Sequence, residues 1–170
     1  MLCVIGCGNS TRTDDGVGVY VAQTLRKALQ CNPRPDVRVF DAGTGGMDVM
    51  FQARAARRLI IIDAAVSGSP AGAIFRVPGE ALASEPEAGY SLHDFRWQHA
   101  LTAGRKIFAA DFPSEVTVYL IEAASLAFGL ELSAPVLASA NRVVEEVQAI
   151  IGAFGRPPEP AMDDATRVTT

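Results

Sequence analysis

Two carboxylates, Asp15 and Asp63, and one imidazole, His93, are the side chains of this sequence that could share a single cation. Such a set would make an open, oxygen-rich site suited to a borderline transition metal. Each member also has a plainer reading. Asp14 and Asp15 stand where the first turn of a helix is expected, and there the macrodipole favours an acid by about 0.3–1 kcal/mol. One acid would serve that end; two in succession, followed by Gly16 and Gly18, favour the functional reading. Glycine inside a helix costs up to about 1 kcal/mol against alanine, so the pair implies that another backbone or a bound peptide passes close by. Asp63 ends the apolar run Leu59-Ile60-Ile61-Ile62, where a buried carboxylate needs a partner or a metal. A turn cap by the aspartate side chain accounts for it equally well. Of the two histidines, His99 shares a helical face with Leu92 and Phe95 and reads as a core or half-buried residue. His93 sits in a first helical turn beside an irregular stretch, from which it can point outward.

Two further features invite chemistry and do less. Gly6-Cys7-Gly8 after a short apolar run has the start of a dinucleotide fingerprint, but Thr11 replaces its third glycine and Asp41 lies beyond the usual interval of about 20 residues. It reads as a tight strand exit. Cys7 has no histidine or lysine near it in sequence and reads as a small buried apolar residue.

Alternating strands and helices must place these residues. Leu2 to Ile5, Val37 to Phe40, Leu59 to Ile62, Ala73 to Val77 and Val116 to Ile121 read as strands, the third apolar on both faces and so central. Between them Thr13 caps a helix with the stripe Val17, Val21, Leu25 and Leu29. A glycine-rich turn, residues 41–46, leads into a helix from Met47 to Arg58. Gly79 to Tyr90 reads as an irregular surface loop. Ser91, with Asp94 three residues on, caps a helix reaching about Ala103. Ser133 caps a last helix buried through Val136, Val143, Val144, Val147, Ile151 and Phe154, and Gly155 ends it. The fold class expected is an α/β three-layer sandwich, a doubly wound twisted sheet of about five mostly parallel strands. In such sheets ligands sit at the carboxyl ends of the strands, which is where Asp15, Asp41 and Asp63 fall.

At 170 residues and 49% apolar, the chain suits one packed domain, residues 1–155, followed by a flexible tail, residues 156–170. A net charge of −4 argues against nucleic acid. Three cysteines without a C-x-x-C pair fit a reducing compartment rather than a disulfide scaffold. No run is long enough to insert in a membrane and no signal segment opens the chain, so a cytoplasmic protein is expected.

The motifs, taken together, resemble those of the hydrogenase maturation endopeptidases. Gly6-Cys7-Gly8-Asn9 followed by Asp14-Asp15-Gly16-Val17-Gly18 is similar to that family's opening signature. Asp41-Ala42-Gly43-Thr44-Gly45-Gly46-Met47 resembles its glycine-rich turn, and Leu59 to Ala64 its strand ending in aspartate. Ser91-Leu92-His93 matches its S-x-H, and Gly129-Leu130-Glu131-Leu132-Ser133 its approach to the last helix. The resemblance implies metal contacts at Asp15, Asp63 and His93, with Asp41 as the acid of the glycine-rich turn and a fourth site residue. It implies no resident cofactor: nickel arrives on cysteines of the partner, a nickel-iron hydrogenase large-subunit precursor, whose C-terminal extension is then removed. The site could accept other divalent metals. Two departures are Gly45, where alanine is frequent, and the absence of proline between Ile121 and Phe128. The alternative is a non-catalytic module, either nucleotide-binding or a phosphoacceptor receiver. A receiver needs a lysine after the fifth strand, where Glu122 stands; the only lysines are Lys27 and Lys106.

Overall fold

The computed structural model describes residues 1–83 and 96–155. Its centre is a five-stranded sheet of β1 (Leu2–Cys7), β2 (Val37–Gly43), β3 (Arg58–Ala65), β4 (Ile74–Pro78) and β5 (Glu115–Glu122), in the order β2-β1-β3-β5-β4. All neighbouring pairs are parallel except β4 with β5. Four helices flank it: α1 (Val17–Cys31), α2 (Gly46–Ala53), α3 (Trp97–Phe108) and α4 (Ala134–Ala153).

The two-residue period of the strands divides the apolar side chains between two cores. Leu2, Val4, Ile60, Ile62, Tyr119 and Ile121 face one side and pack with α1 and α4. Cys3, Ile5, Leu59, Ile61, Val116 and Val118 face the other and pack with α2 and α3. Leu59 to Ile62 are fully buried, as a central strand requires. This is the three-layer, doubly wound sandwich expected. The chain leaves β1 towards β2 on one side and returns to β3 on the other, so the crevice at the carboxyl ends of β1 and β3 lies at the switch of strand order.

Several boundaries differ from the expectation. The helix expected to reach Arg58 stops at Ala53. Ala55 takes a positive φ of 62° and donates its N–H to the Asp111 carbonyl, while Arg58 pairs with Leu2 and Glu115 as the first residue of β3. β3 in turn continues past Asp63 to Ala65, because β5 pairs with it to that point. Thr13 does not cap α1. It opens a 3-10 turn, Thr13–Gly16, and its hydroxyl donates to the Ser125 and Ala127 carbonyls instead. α3 begins at Trp97, with Arg96 at its cap donating its N–H to His99 Nδ1, and runs on to Phe108. The expected cap of Ser91 and Asp94, most of the irregular loop, His93 and the tail lie outside the described residues.

The glycine pair has a structural answer. A Cβ on Gly18 would stand 2.2 Å from the Ile62 carbonyl oxygen and 2.3 Å from that of Cys7. The backbone passing close is that of β1 and β3, so Gly18 seats α1 directly on the sheet, while Gly16 packs against the turn at Asn9 and Ser10.

Candidate active site

Asp15 and Asp63 reach one cleft from different elements. The short turn after β1 carries Asp15, whose Oδ2 accepts the Asn9 N–H at 3.2 Å. Gly8, at a φ of 120° and packed against the Asp15 carbonyl, lets β1 turn sharply enough to bring that acid back over the strand end. Asp63 comes from β3. Its Oδ1 accepts the Ala64 N–H at 2.9 Å, and its Oδ2 accepts the indole N–H of Trp97 at 2.7 Å. The cleft between them has a volume of about 410 Å³ and is also lined by Cys7, Gly8, Arg12, Arg96, Gln98, Leu126 and the turn from Gly43 to Gly46.

The electrostatics are those of an acid short of positive partners. Burial raises Asp63, and the neighbouring Asp15 carboxylate adds to the rise. The Trp97 and Ala64 hydrogen bonds and the Arg96 charge lower it without cancelling the effect, and the carboxyl stands at about 6. Cys7 is buried at the cleft wall, and its thiol is pushed well up by burial and by the charges of Asp63 and Asp41. It is a wall residue, as expected, and a poor nucleophile. Among the described residues no three His, Cys, Asp or Glu side chains gather as a metal set; His93 lies outside them.

Asp14 faces away from this chemistry. It is fully buried and accepts four hydrogen bonds: from the Ala124 and Ser125 N–H groups at 2.9 and 3.0 Å, and from the Ser133 N–H and hydroxyl at 2.7 and 2.9 Å. Burial raises its pKa, but the bonds from Ser133, Ala124 and Ser125 together outweigh that and hold it below the usual value. Ser133 therefore sits at the cap of α4 but spends its hydroxyl on Asp14, not on the helix. The acidic pair divides its work: Asp15 belongs to the cleft, Asp14 to the frame. Asp41 is exposed and not among the cleft-lining residues. Its Oδ1 accepts the Gly43 N–H and its Oδ2 the Gln23 amide, each at 3.1 Å, so it braces the glycine-rich turn that does line the cleft.

Sequence reasoning missed Trp97, Arg12 and Gln98. Trp97 is the only tryptophan and opens α3. Nothing in the sequence announces that its N–H finds Asp63. Gln98 keeps a buried Oε1 with no hydrogen-bond partner among the described residues.

The sequence and the fold are similar to those of known proteins. The family model described as hydrogenase maturation protease matches residues 19–150. The chain belongs to the hydrogenase maturation protease family. It is 29% identical over 156 residues to the hydrogenase 2 maturation protease of Escherichia coli, covering 91% of this chain and 92% of that one. It is 28% identical over 162 residues to the hydrogenase expression/formation protein HoxM of Cupriavidus necator, covering 94% and 78%. Among solved structures, the hydrogenase maturating endopeptidase HybD from E. coli superposes with a TM-score of 0.71 at 26% identity, over 91% of this chain and 93% of that one. The hydrogenase maturation protease HycI of Thermococcus kodakarensis shares the fold, with a TM-score of 0.69 at 20% identity over 89% and 92%. This maturation endopeptidase is thus a peptide-bond hydrolase, and the receiver and nucleotide-binding alternatives fall away. Glu122, where a receiver would need lysine, is buried and accepts the Ser67 and Gly68 N–H groups and the Ser67 hydroxyl. No described helix is long and apolar enough to cross a membrane.

Proposed function

We propose that this endopeptidase removes the C-terminal extension of a nickel-iron hydrogenase large-subunit precursor, and that it acts once nickel is in place. In this reading Asp15, Asp63 and His93 complete the coordination of a nickel ion that the substrate holds on its own cysteines. The observation that carries the reading is the placement of Asp15 and Asp63 in one cleft, where burial and the second acid raise the Asp63 carboxyl to about 6. A cation brought there relieves both the burial and the repulsion. Such a site favours loaded over empty substrate, because the thiolates and the carboxylates then share one ion, and specificity follows as a difference of affinities.

The rest of the cleft suits an extended chain end. Arg12 and Arg96 offer donors to carbonyl oxygens, and the unpartnered Oε1 of Gln98 offers an acceptor to a peptide N–H. Two routes to hydrolysis fit: nickel polarising the scissile carbonyl, or a carboxylate taking a proton from water, for which a pKa near 6 is well matched to neutral pH. Asp41 serves in either case by holding the glycine-rich turn.

The test compares nickel-loaded and nickel-free precursors, each mixed with enzyme stripped by a chelator that is then removed. Only the loaded precursor is expected to lose its extension, and Asp15→Asn or Asp63→Asn to abolish that loss. Equal cleavage of the nickel-free precursor would overturn metal sensing.

A further inference from the structure

The segment between β5 and α4, residues 123–133, displays the two most exposed large apolar side chains of the described chain, Phe128 at 88% and Leu130 at 81%. Exposed apolar groups of this size on a floppy loop would mean little. This loop is tied by hydrogen bonds to the turn after β1. Asp14 takes the N–H groups of Ala124, Ser125 and Ser133. Thr13 donates its N–H to the Gly129 carbonyl at 2.9 Å and its hydroxyl to Ser125, and Gly129 donates its N–H to the Thr11 carbonyl at 3.0 Å. The fold thus spends a buried carboxylate and a strained threonine, at a φ of 42°, on fixing a loop whose largest side chains face solvent.

The same loop is continuous with the cleft. Leu126 lines the cleft, and Arg12, which also lines it, donates from Nε to the Leu126 carbonyl at 3.0 Å and places its guanidinium 5.8 Å from the centre of the Phe128 ring. A substrate seated in the cleft has this rim beside it. We propose that Phe128 and Leu130 are the apolar anchors of a docking surface for the folded body of the precursor protein, next to the cleft that takes its chain end. The inference rests on the function proposed above and says how that substrate is held. The partner it fits presents an apolar recess close to the root of its C-terminal extension. A rigid aromatic anchor loses little entropy on docking, and such residues dominate the binding energy of protein interfaces.

The experiment measures steady-state processing of nickel-loaded, full-length precursor by the full-length wild-type enzyme, by a Phe128→Ser/Leu130→Ser double variant, and by Ile107→Ser. Ile107 is a fair control. It is 63% exposed, and it lies about 15 Å along α3 from Trp97, at the end away from the cleft. The double variant is expected to raise KM roughly tenfold or more, with kcat at saturation within about twofold of wild type. Its melting temperature should be unchanged, because the removed side chains pack against little. Ile107→Ser should change neither constant. An unchanged KM in the double variant, or a fall in kcat alone, overturns the docking surface while leaving the proposed function standing. Failure of the wild-type enzyme to process loaded precursor overturns the proposed function and the surface with it. Gel filtration of both proteins supplies a separate check: a wild-type dimer that becomes monomeric in the double variant assigns the rim to a second copy of this chain and overturns the proposal.

Discussion

Asp14 and Asp63 are acids at the same end of the sheet, yet the regions around them are built on opposite terms. Around Asp14 every bond is made: four donors converge on one carboxylate, its pKa falls, and a loop from the far end of the chain is tied to the turn after β1. Around Asp63 two donors hold the carboxylate in place, another acid stands near, and the pKa rises to about 6. The first region uses its charge to order the backbone. The second keeps a charge poorly compensated, which costs stability. Where a buried acid is fully satisfied it is architecture; where it is left wanting it is a place for ligand or substrate.

The largest expected effect sharpens this contrast. Asp14→Ala strips the acceptor from three backbone N–H groups and the Ser133 hydroxyl and should cost roughly 2–5 kcal/mol of stability, read by denaturant unfolding. Asp63→Asn should leave stability at pH 7 equal to or above wild type while processing is lost. If both variants lose stability alike, Asp63 is a structural acid too and the contrast collapses.

A smaller effect is expected one step back from the cleft. Trp97→Phe keeps the ring within the core formed with Ala100 and Leu101 but removes the donor to Asp63 Oδ2. Outer partners of metal-contacting groups typically matter by about 10–100-fold in affinity or activity, and processing of loaded precursor should fall within that range with little change in unfolding. Retained activity would mean that the Ala64 N–H alone holds the carboxylate.

The smallest effect is in the pH dependence of stability, where the two acids carry opposite signs. Asp14 has a folded pKa below its ordinary 3.8, so its contribution is complete above 3.8 and is lost as pH falls through the folded value. Asp63 has a folded pKa of about 6 against 3.8, so the folded state binds its proton more tightly and stability falls as pH rises from 3.8 to 6, then levels. The melting temperature of Asp63→Asn, compared with wild type, should therefore gain most above pH 6 and the gap should close near pH 4. A gap that is constant with pH would contradict the elevated pKa of Asp63.

Much of this was legible in the residues. The unbroken apolar run at Leu59 to Ile62 identified the central strand, the helical stripe from Val17 to Leu25 identified the face of α1, and the motif set pointed to the family. Those signals are local: periodicity and composition act within a few residues of chain. Two boundaries that differed, at Thr13 and Ala53, were each decided by partners remote in sequence: the carbonyls of residues 125 and 127, and the carbonyl of residue 111.

The candidate site divides in the same way. The sequence by itself determined that two acids stand at the ends of β1 and β3, because strand topology carries such positions to one crevice. Residue type and spacing alone could not separate Asp14 from Asp15; the resemblance to the family is what singled out Asp15. Only the tertiary structure decided that Asp14 turns inward to meet the loop before α4 while Asp15 turns to the cleft, since the donors that settle the matter come from residues 110 or more positions away. It alone decided too that the indole of Trp97 meets Asp63, and that Gly18 serves the packing of α1 on the sheet. Those choices follow from desolvation and hydrogen-bond satisfaction, which depend on what surrounds a side chain in space and not on what precedes it in the chain.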